Sequence, residues 1–429
     1  MRALDPDNML VTGARGTGKS LWWHALQSKL TQPFIAQLFS PGAPYKLEVS
    51  AGWGDRLDSG YPGKDVLASL LEFPARIVWK TVVLSQLDAG FFRGDSSWRE
   101  RVIRVRGDPD GTERRLLSID EQLESRNAKR LVLFDALDKA ADRWSDLRTL
   151  LKGLLQLLLE LRMTRAIRAK AFVRTDTIED PEIKAFPDAA KLLYARVELL
   201  WPRTDLYGLL WQYLGNAASE GGAIRSATPG WRKQRAVWEM PEALYADESV
   251  QRKLFALVAG TQMGRDRRRR IPYAWVPNHL GDARGQATPR SFLAALRAAA
   301  QESAEDAPHA LHWEAIKKGV QRASSIRVDE LKEDFPWTAA AMKPLEHLVV
   351  PCDHKEILDR WRKARVLESI RTSLGERLPR RYDQELSGIF EDLQEIGVLQ
   401  STTDGRVNVP DVYRVAFRLK RKGGVKPVR

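Results

Sequence analysis

Residues 10–21 read LVTGARGTGKSL and fill the pattern G-x-x-x-x-G-K-[ST] with Gly13, Gly18, Lys19 and Ser20. Glycines let successive backbone N–H groups wrap an anion without a side-chain clash. A lysine at this spacing reaches the β- and γ-phosphates of a nucleotide, and the hydroxyl after it coordinates Mg2+. The spacing therefore predicts a phosphate cradle made of Gly13, Ala14, Arg15, Gly16, Thr17, Gly18, Lys19, Ser20 and Leu21. The apolar run NMLVT (8–12) before it and the helical spacing after it supply the strand–loop–helix context that the motif requires. The helix would aim its N-terminal dipole at the phosphates.

Three further segments carry residues suited to the same chemistry. KRLVLFDALD (129–138) puts Asp135 at the end of an apolar run, where a carboxylate can hold Mg2+ through water. Asp138 lies three residues on and can orient or deprotonate an attacking water, or cap the next helix. Many loop ATPases place a glutamate directly after the magnesium acid; this chain has Ala136. FVRTD ends a further apolar run with Arg174, which can touch a γ-phosphate or pair with Asp176 or Asp188. TPRSF (288–292) puts Arg290 in the first turn of a helix, after Pro289 and the cap residue Thr288. Cations are disfavoured at helix N-termini, so Arg290 calls for an anion: a γ-phosphate or an acidic neighbour.

The elements that must position these groups follow from hydrophobic periodicity. Apolar runs at 8–12, 45–50, 129–138, 167–176 and 195–201 read as strands alternating with helical segments. The long helix beginning at WSDL (144–147) is the clearest of those segments. Such alternation predicts an α/β parallel sheet with helices on both faces, with ligands at the carboxyl ends of its strands. Residues 31–64 read as loops around one strand, 66–87 as helical around Pro74, and 93–114 as an exposed polar excursion. After 202 the strand pattern stops. A helical segment covers 203–305, with a Gly/Ser/Arg loop at 219–235, and AEDAP (304–308) reads as a linker. Residues 309–420 are again helical and close with a helix (383–396), Gly397, and a hairpin around TTDGR, the pattern of a winged helix. From Arg418 the chain reads as a basic tail with too few apolar residues to pack.

Together GARGTGKS, the hydrophobic strand ending D-x-x-D, FVRTD and TPRSF resemble the AAA+/STAND superfamily of P-loop ATPases, in its KAP-like or origin-recognition-like forms. The resemblance implies a P-loop core over 1–202, an α-helical lid over 203–305, a helical and winged-helix domain over 309–420 and a basic tail over 421–429. It also implies Mg-ATP clamped between core and lid. Lys19, Ser20 and Asp135 would hold phosphates and Mg2+, Asp138 would position water, and Arg174 and Arg290 would sense the γ-phosphate. The implied activity is ATP hydrolysis coupled to a conformational switch, often in bacterial signalling, defence or DNA-associated systems, with self-association. Without an Asp-Glu pair, rapid turnover is not implied.

Composition bounds the alternatives. The chain has 429 residues, enough for two or three domains, and a net charge of +13 that suits phosphate-rich partners or simply solvated arginines. No apolar run approaches the roughly 18 residues of a membrane span, so no membrane role is expected. Cys352 is the only cysteine, and Asp5 and Asp7 interrupt any signal peptide; both point to a reducing, cytoplasmic setting. The basic run at 265–270 is a candidate DNA or protein contact, or an arginine source for a neighbouring subunit. Four acids on the winged helix (Glu385, Glu391, Asp392 and Glu395) would repel phosphate and favour a protein contact there, leaving the wing and tail for DNA. His279 reads as a packed residue, and one of Trp22 and Trp23 is expected to pack on the sheet. The competing function is a winged-helix nucleic-acid regulator whose nucleotide is structural or slowly hydrolysed.

Overall fold

A computed structural model describes residues 2–264, 271–374 and 378–421 and divides the chain into two compact units, Met1–Leu199 and Leu200–Arg429. In the first unit, side chains along the strands alternate between two buried faces. Leu131 and Leu133 join one hydrophobic cluster while Val132 and Phe134 join another, all without solvent exposure. The strands are β1 (Leu10–Gly13), β2 (Lys46–Trp53), β3 (Ala128–Phe134), β4 (Ile167–Arg174) and β5 (Val197–Glu198). They form one five-stranded sheet in the order β2-β3-β4-β1-β5, and every pairing is parallel. Helices α1 (Lys19–Gln27) and α2 (Gln32–Phe39) cover one face through Trp23, Leu26, Ile35 and Ala36.

The other face carries α3 (Lys64–Ser69), α4 (Ala75–Leu87), α5 (Trp98–Gly107), α6 (Pro109–Ser125) and α7 (Trp144–Glu160). Pro74 divides the helical stretch 66–87, standing as the N-cap residue of α4. At Gly153, α7 crosses α4 so closely that a Cβ would lie 2.6 Å from the Arg76 nitrogen. Short helices α8 (Thr175–Ile178), α9 (Pro181–Lys184) and α10 (Ala189–Tyr194) lead into β5.

The expected polar excursion at 93–114 is instead helical. Ser97 and Glu100 form a capping box at the start of α5, and the Asp108 side chain accepts from the Gly111 N–H at the start of α6. Val102, Val105 and Leu116 are buried at helical spacing among the arginines, whose ion pairs with Glu72, Asp88 and Asp95 compensate the charge. A short helical turn, Arg2–Leu4, precedes β1, where no element was expected. It covers Lys170, which is fully buried and donates to the carbonyls of Ala3 (2.8 Å) and Asp5 (2.7 Å).

Burial pushes the Lys170 ammonium down to about 7, with Asp5 and Asp7 opposing. The unfolded chain therefore holds a proton that the folded chain releases between about pH 7 and the ordinary lysine range. Raising pH through that window should stabilise the fold by a few kcal/mol, with no further effect of this group below it. Urea titrations at about pH 7 and about pH 9 should show this rise, and Lys170→Met should flatten it. An equal rise in the variant would rule out the assignment.

The second unit begins with α11 (Arg203–Gly215), α12 (Gly221–Ala227), a hairpin of β6 (Arg232–Gln234) and β7 (Val237–Glu239), α13 (Glu242–Ala246), α14 (Glu248–Ala259), α15 (Pro272–Leu280) and α16 (Pro289–Glu302). The loop expected at 219–235 is thus a helix and half of a hairpin, which also breaks the expectation that strands end at 202. Side-chain bonds from α11 supply what the short strands lack. Tyr207, Trp211, Phe255, Tyr273 and Phe292 centre this core, with Tyr207 stacked on Tyr273 at 4.1 Å between centroids.

Helix α17 (Trp313–Asp334) contributes Ile316, Val320 and Ala323 to that core and Val328 and Leu331 to the next. There α18 (Trp337–Met342), α19 (His354–Lys363), α20 (Val366–Leu374) and α21 (Glu385–Glu395) precede a second hairpin, β8 (Gln400–Ser401) and β9 (Val407–Asn408), and α22 (Asp411–Arg414). The expected helix, Gly397 and hairpin are present, and Cys352 pairs antiparallel with Val407 beside them. The chain remains packed past Arg418, contrary to the expected tail. Leu419 is fully buried, and Lys420 exchanges backbone hydrogen bonds with Leu348 and Val350. The basic run 265–270 and residues 422–429 lie outside the described residues.

Candidate nucleotide site

The cradle begins where β1 ends. Gly16 and Gly18 have φ of 83° and 98°, a backbone region that side chains disfavour, so glycine is required for the loop to close over the α1 N-terminus. Thr17 folds back, its hydroxyl donating to the Ala14 carbonyl at 2.8 Å. Lys19 donates through Nζ to the carbonyls of Gly13 (2.8 Å) and Ala14 (2.9 Å), which holds the ammonium across the mouth of the loop. Leu21 is exposed, Trp23 is buried in the sheet-facing cluster, and Trp22 packs half-buried against it.

Strand order brings the acids to this loop. β4 lies between β1 and β3, and Gly13 is in register with Arg174. Asp135 follows β3 directly and is buried; the Ser20 hydroxyl donates to its carboxylate. Burial raises the Asp135 carboxyl above its ordinary value, opposed by Ser20, the Ala136 N–H and the Lys19 charge. The Lys19 ammonium is lowered to about 8 by burial and then by Arg174, while Asp176, Asp135 and Asp138 act in the opposite direction. Lys19, Asp135, Asp138, Arg174 and Asp176 therefore share one field at the carboxyl edge of the sheet.

Ser20 and Asp135 together present a hydroxyl and a carboxylate oxygen, the hard donors that suit Mg2+ with nucleotide phosphates completing its shell. Trp53 was not singled out by sequence. Its carbonyl accepts from the Asp135 N–H (3.1 Å) and its indole donates to the Ala136 carbonyl (3.4 Å). The signal available was an aromatic residue closing the strand in SAGWG.

The remaining residues resolve differently. Asp138 is exposed and caps nothing: Arg143 stands at the N-cap of α7 and Ala136 at that of the turn holding Asp138. Arg174 pairs bidentately with Asp176 (3.0 and 2.8 Å), whereas Asp188 pairs with Lys191. Arg290 belongs to the second unit; Thr288 caps its helix, and its guanidinium meets Glu330 at 2.6 Å. His279 is a packed residue, stacked on Trp275 with Nδ1 2.8 Å from the Trp275 carbonyl. The acids of α21 are largely compensated: Arg381 meets Asp392 (2.5 Å), Glu395 (2.7 Å) and Glu391 (3.4 Å), and Arg380 meets Glu395 (2.9 Å). Repulsion of phosphate by α21 is correspondingly weaker than their number implies.

No family model matches the chain. No curated protein matches it either. Among solved structures it is similar to the ORC2 protein of Aeropyrum pernix in ADPNP–ADP complexes, at 13% identity and TM-score 0.41, over 94% of this chain and 84% of that one. It is also similar to Cdc6p of Pyrobaculum aerophilum, at 14% identity and TM-score 0.31, over 94% and 83%. Overlaps this loose add nothing to the topology, which stands on its own. An all-parallel sheet in the order β2-β3-β4-β1-β5, a glycine loop running from its β1 strand into α1 and an acid closing β3 make the first unit a P-loop nucleotide-binding fold.

Proposed function

We propose that the chain is a Mg-ATP-binding P-loop ATPase that acts as a nucleotide-dependent conformational switch. The observation that carries this reading is the meeting of Ser20, in the first turn of α1, with Asp135, at the end of β3, beside an ammonium held over the glycine loop. Mg2+ would supply charge neutralisation at the β- and γ-phosphates. Lys19 binds those phosphates, Ser20 and Asp135 hold the ion, and Asp138 orients water from its exposed position. Arg174 exchanges Asp176 for the γ-phosphate, and Arg290 exchanges Glu330 in the same way. Nucleotide state passes to the helical lid (203–305) and the winged-helix domain (309–420). With Ala136 after the magnesium acid, turnover is slow or stimulated by a partner, in a cytoplasmic signalling, defence or DNA-associated role.

ATP turnover measured with and without duplex DNA, at several protein concentrations, tests this. Turnover that rises with concentration supports self-association with an arginine supplied by a neighbour. No ATP binding and no turnover under any condition would remove the proposal. Bound nucleotide that never turns over, with DNA binding intact, would favour a nucleic-acid regulator holding a structural nucleotide.

A further inference from the structure

The hairpin of β6 and β7 carries three cations within four residues, Arg232, Lys233 and Arg235. All are exposed, and among the described residues none of the three forms an ion pair: Glu239 stands across the ribbon from Arg232 but takes its hydrogen bond from Gln234, and Lys233 lies 5.8 Å from the Trp238 ring. Arginines elsewhere in the chain are commonly paired, as Arg148, Arg174, Arg381 and Arg414 are. Arg235 stands at the tip with φ of 54°, a conformation that favours glycine or asparagine in a two-residue turn. An arginine held there costs local backbone strain, and such positions gather where a side chain meets a partner.

The base of the hairpin is fixed. Trp238 N–H donates to Asn216 (2.8 Å), and the Trp238 carbonyl accepts from Gln212 (2.7 Å) and Asn216 (2.8 Å). Trp231 packs against Gly215, where a Cβ would lie 2.2 Å from its ring, and the Arg225 guanidinium sits 4.5 Å over the Trp238 ring. The hairpin is therefore a two-stranded ribbon anchored at its base, and a ribbon of this kind is an element that a B-DNA major groove admits. Beyond half-exposed Val237 its tip offers no apolar anchor, which a protein partner would need for its binding energy. Closely spaced cations without an anchor instead suit a phosphodiester backbone. We infer that residues 232–237 form a binding site for the phosphate backbone of duplex DNA. This goes beyond the nucleotide site and does not depend on it.

The test uses the full chain and a fluorescent duplex, with affinity followed against salt. Arg232→Gln/Lys233→Gln/Arg235→Gln should weaken binding roughly tenfold or more at about 100 mM salt and lower the log–log salt slope by about 2 to 3. A matched variant with three exposed cations of the first unit neutralised (Lys29→Gln/Arg126→Gln/Arg162→Gln) should lose less than a third of that effect. Arg235→Gly should weaken DNA binding while leaving the melting temperature unchanged or raised, because glycine relieves the tip. ATP affinity, read separately with a fluorescent ATP analogue, should be unchanged in all variants, so failure here and failure of the ATPase reading are distinguishable. No duplex binding by the wild type, an unchanged slope in the triple variant, or an equal loss in the control would each overturn the proposal. Retention on polyglutamate without duplex binding would overturn it in favour of an acidic protein partner.

Discussion

Lys19→Ala should lose ATP affinity by about 100-fold, as expected when charge-assisted hydrogen bonds worth about 3 kcal/mol in sum are removed. Among the described residues Nζ bonds the carbonyls of Gly13 and Ala14, both in the loop. Its loss removes the donor from these two carbonyls but also relieves the burial of an ammonium, so the two effects oppose and the unliganded melting temperature should change little. ATP should then fail to raise the melting temperature of the variant, because that rise follows ligand concentration over Kd. Calorimetric titration reads the affinity directly. Unchanged affinity would mean that the glycine loop does not cradle the triphosphate.

Asp135→Asn should separate binding from turnover. The amide is nearly isosteric and its oxygen can still accept from Ser20, so the fold is retained. What disappears is the negative charge beside the ion, and turnover should fall by roughly two orders of magnitude, about 3 kcal/mol of transition-state stabilisation. ATP affinity measured in a chelator should be unchanged, while the Mg2+ concentration for half-maximal turnover should rise. A variant with wild-type turnover would remove Asp135 from the magnesium site. The buried carboxyl, raised by desolvation, also makes the Asn variant no less stable than the parent in the absence of metal.

Sequence legibility was uneven for physical reasons. β1, β3 and β4 were readable because buried parallel strands are short unbroken apolar runs. β5 was readable as a strand but overestimated, since only Val197 and Glu198 pair with β1. Helices α5 and α6 were missed because charged residues crowd both, arginines in α5 and acids in α6. Their helical stability comes from caps and from a narrow stripe of Val102, Val105 and Leu116 facing the core. The hairpin at 232–239 was missed because three-residue strands carry no periodicity, and its tip lacks the glycine or asparagine that marks such turns. The tail from Arg418 was misread because a single buried leucine, Leu419, and strand-like pairing of Lys420 anchor it.

Sequence alone determined the phosphate loop, because the motif works through backbone that only glycine can supply and through residues adjacent in the chain. It also determined that Asp135 would end a buried strand. Tertiary structure decided everything that depends on which strands are neighbours. Placing β4 between β1 and β3 set Arg174 beside Gly13 and still let Ser20 meet Asp135. The sequence left Arg174 a γ-phosphate, Asp176 or Asp188, and Arg290 a γ-phosphate or an acidic neighbour; the packed chain paired Arg174 with Asp176 and Arg290 with Glu330. Arg290 and Glu330 lie 40 residues apart, so their pairing depends on side-chain positions that only the packed core establishes; Arg174 and Asp176 are near neighbours in the chain, and packing decided only that Asp176 rather than Asp188 was taken.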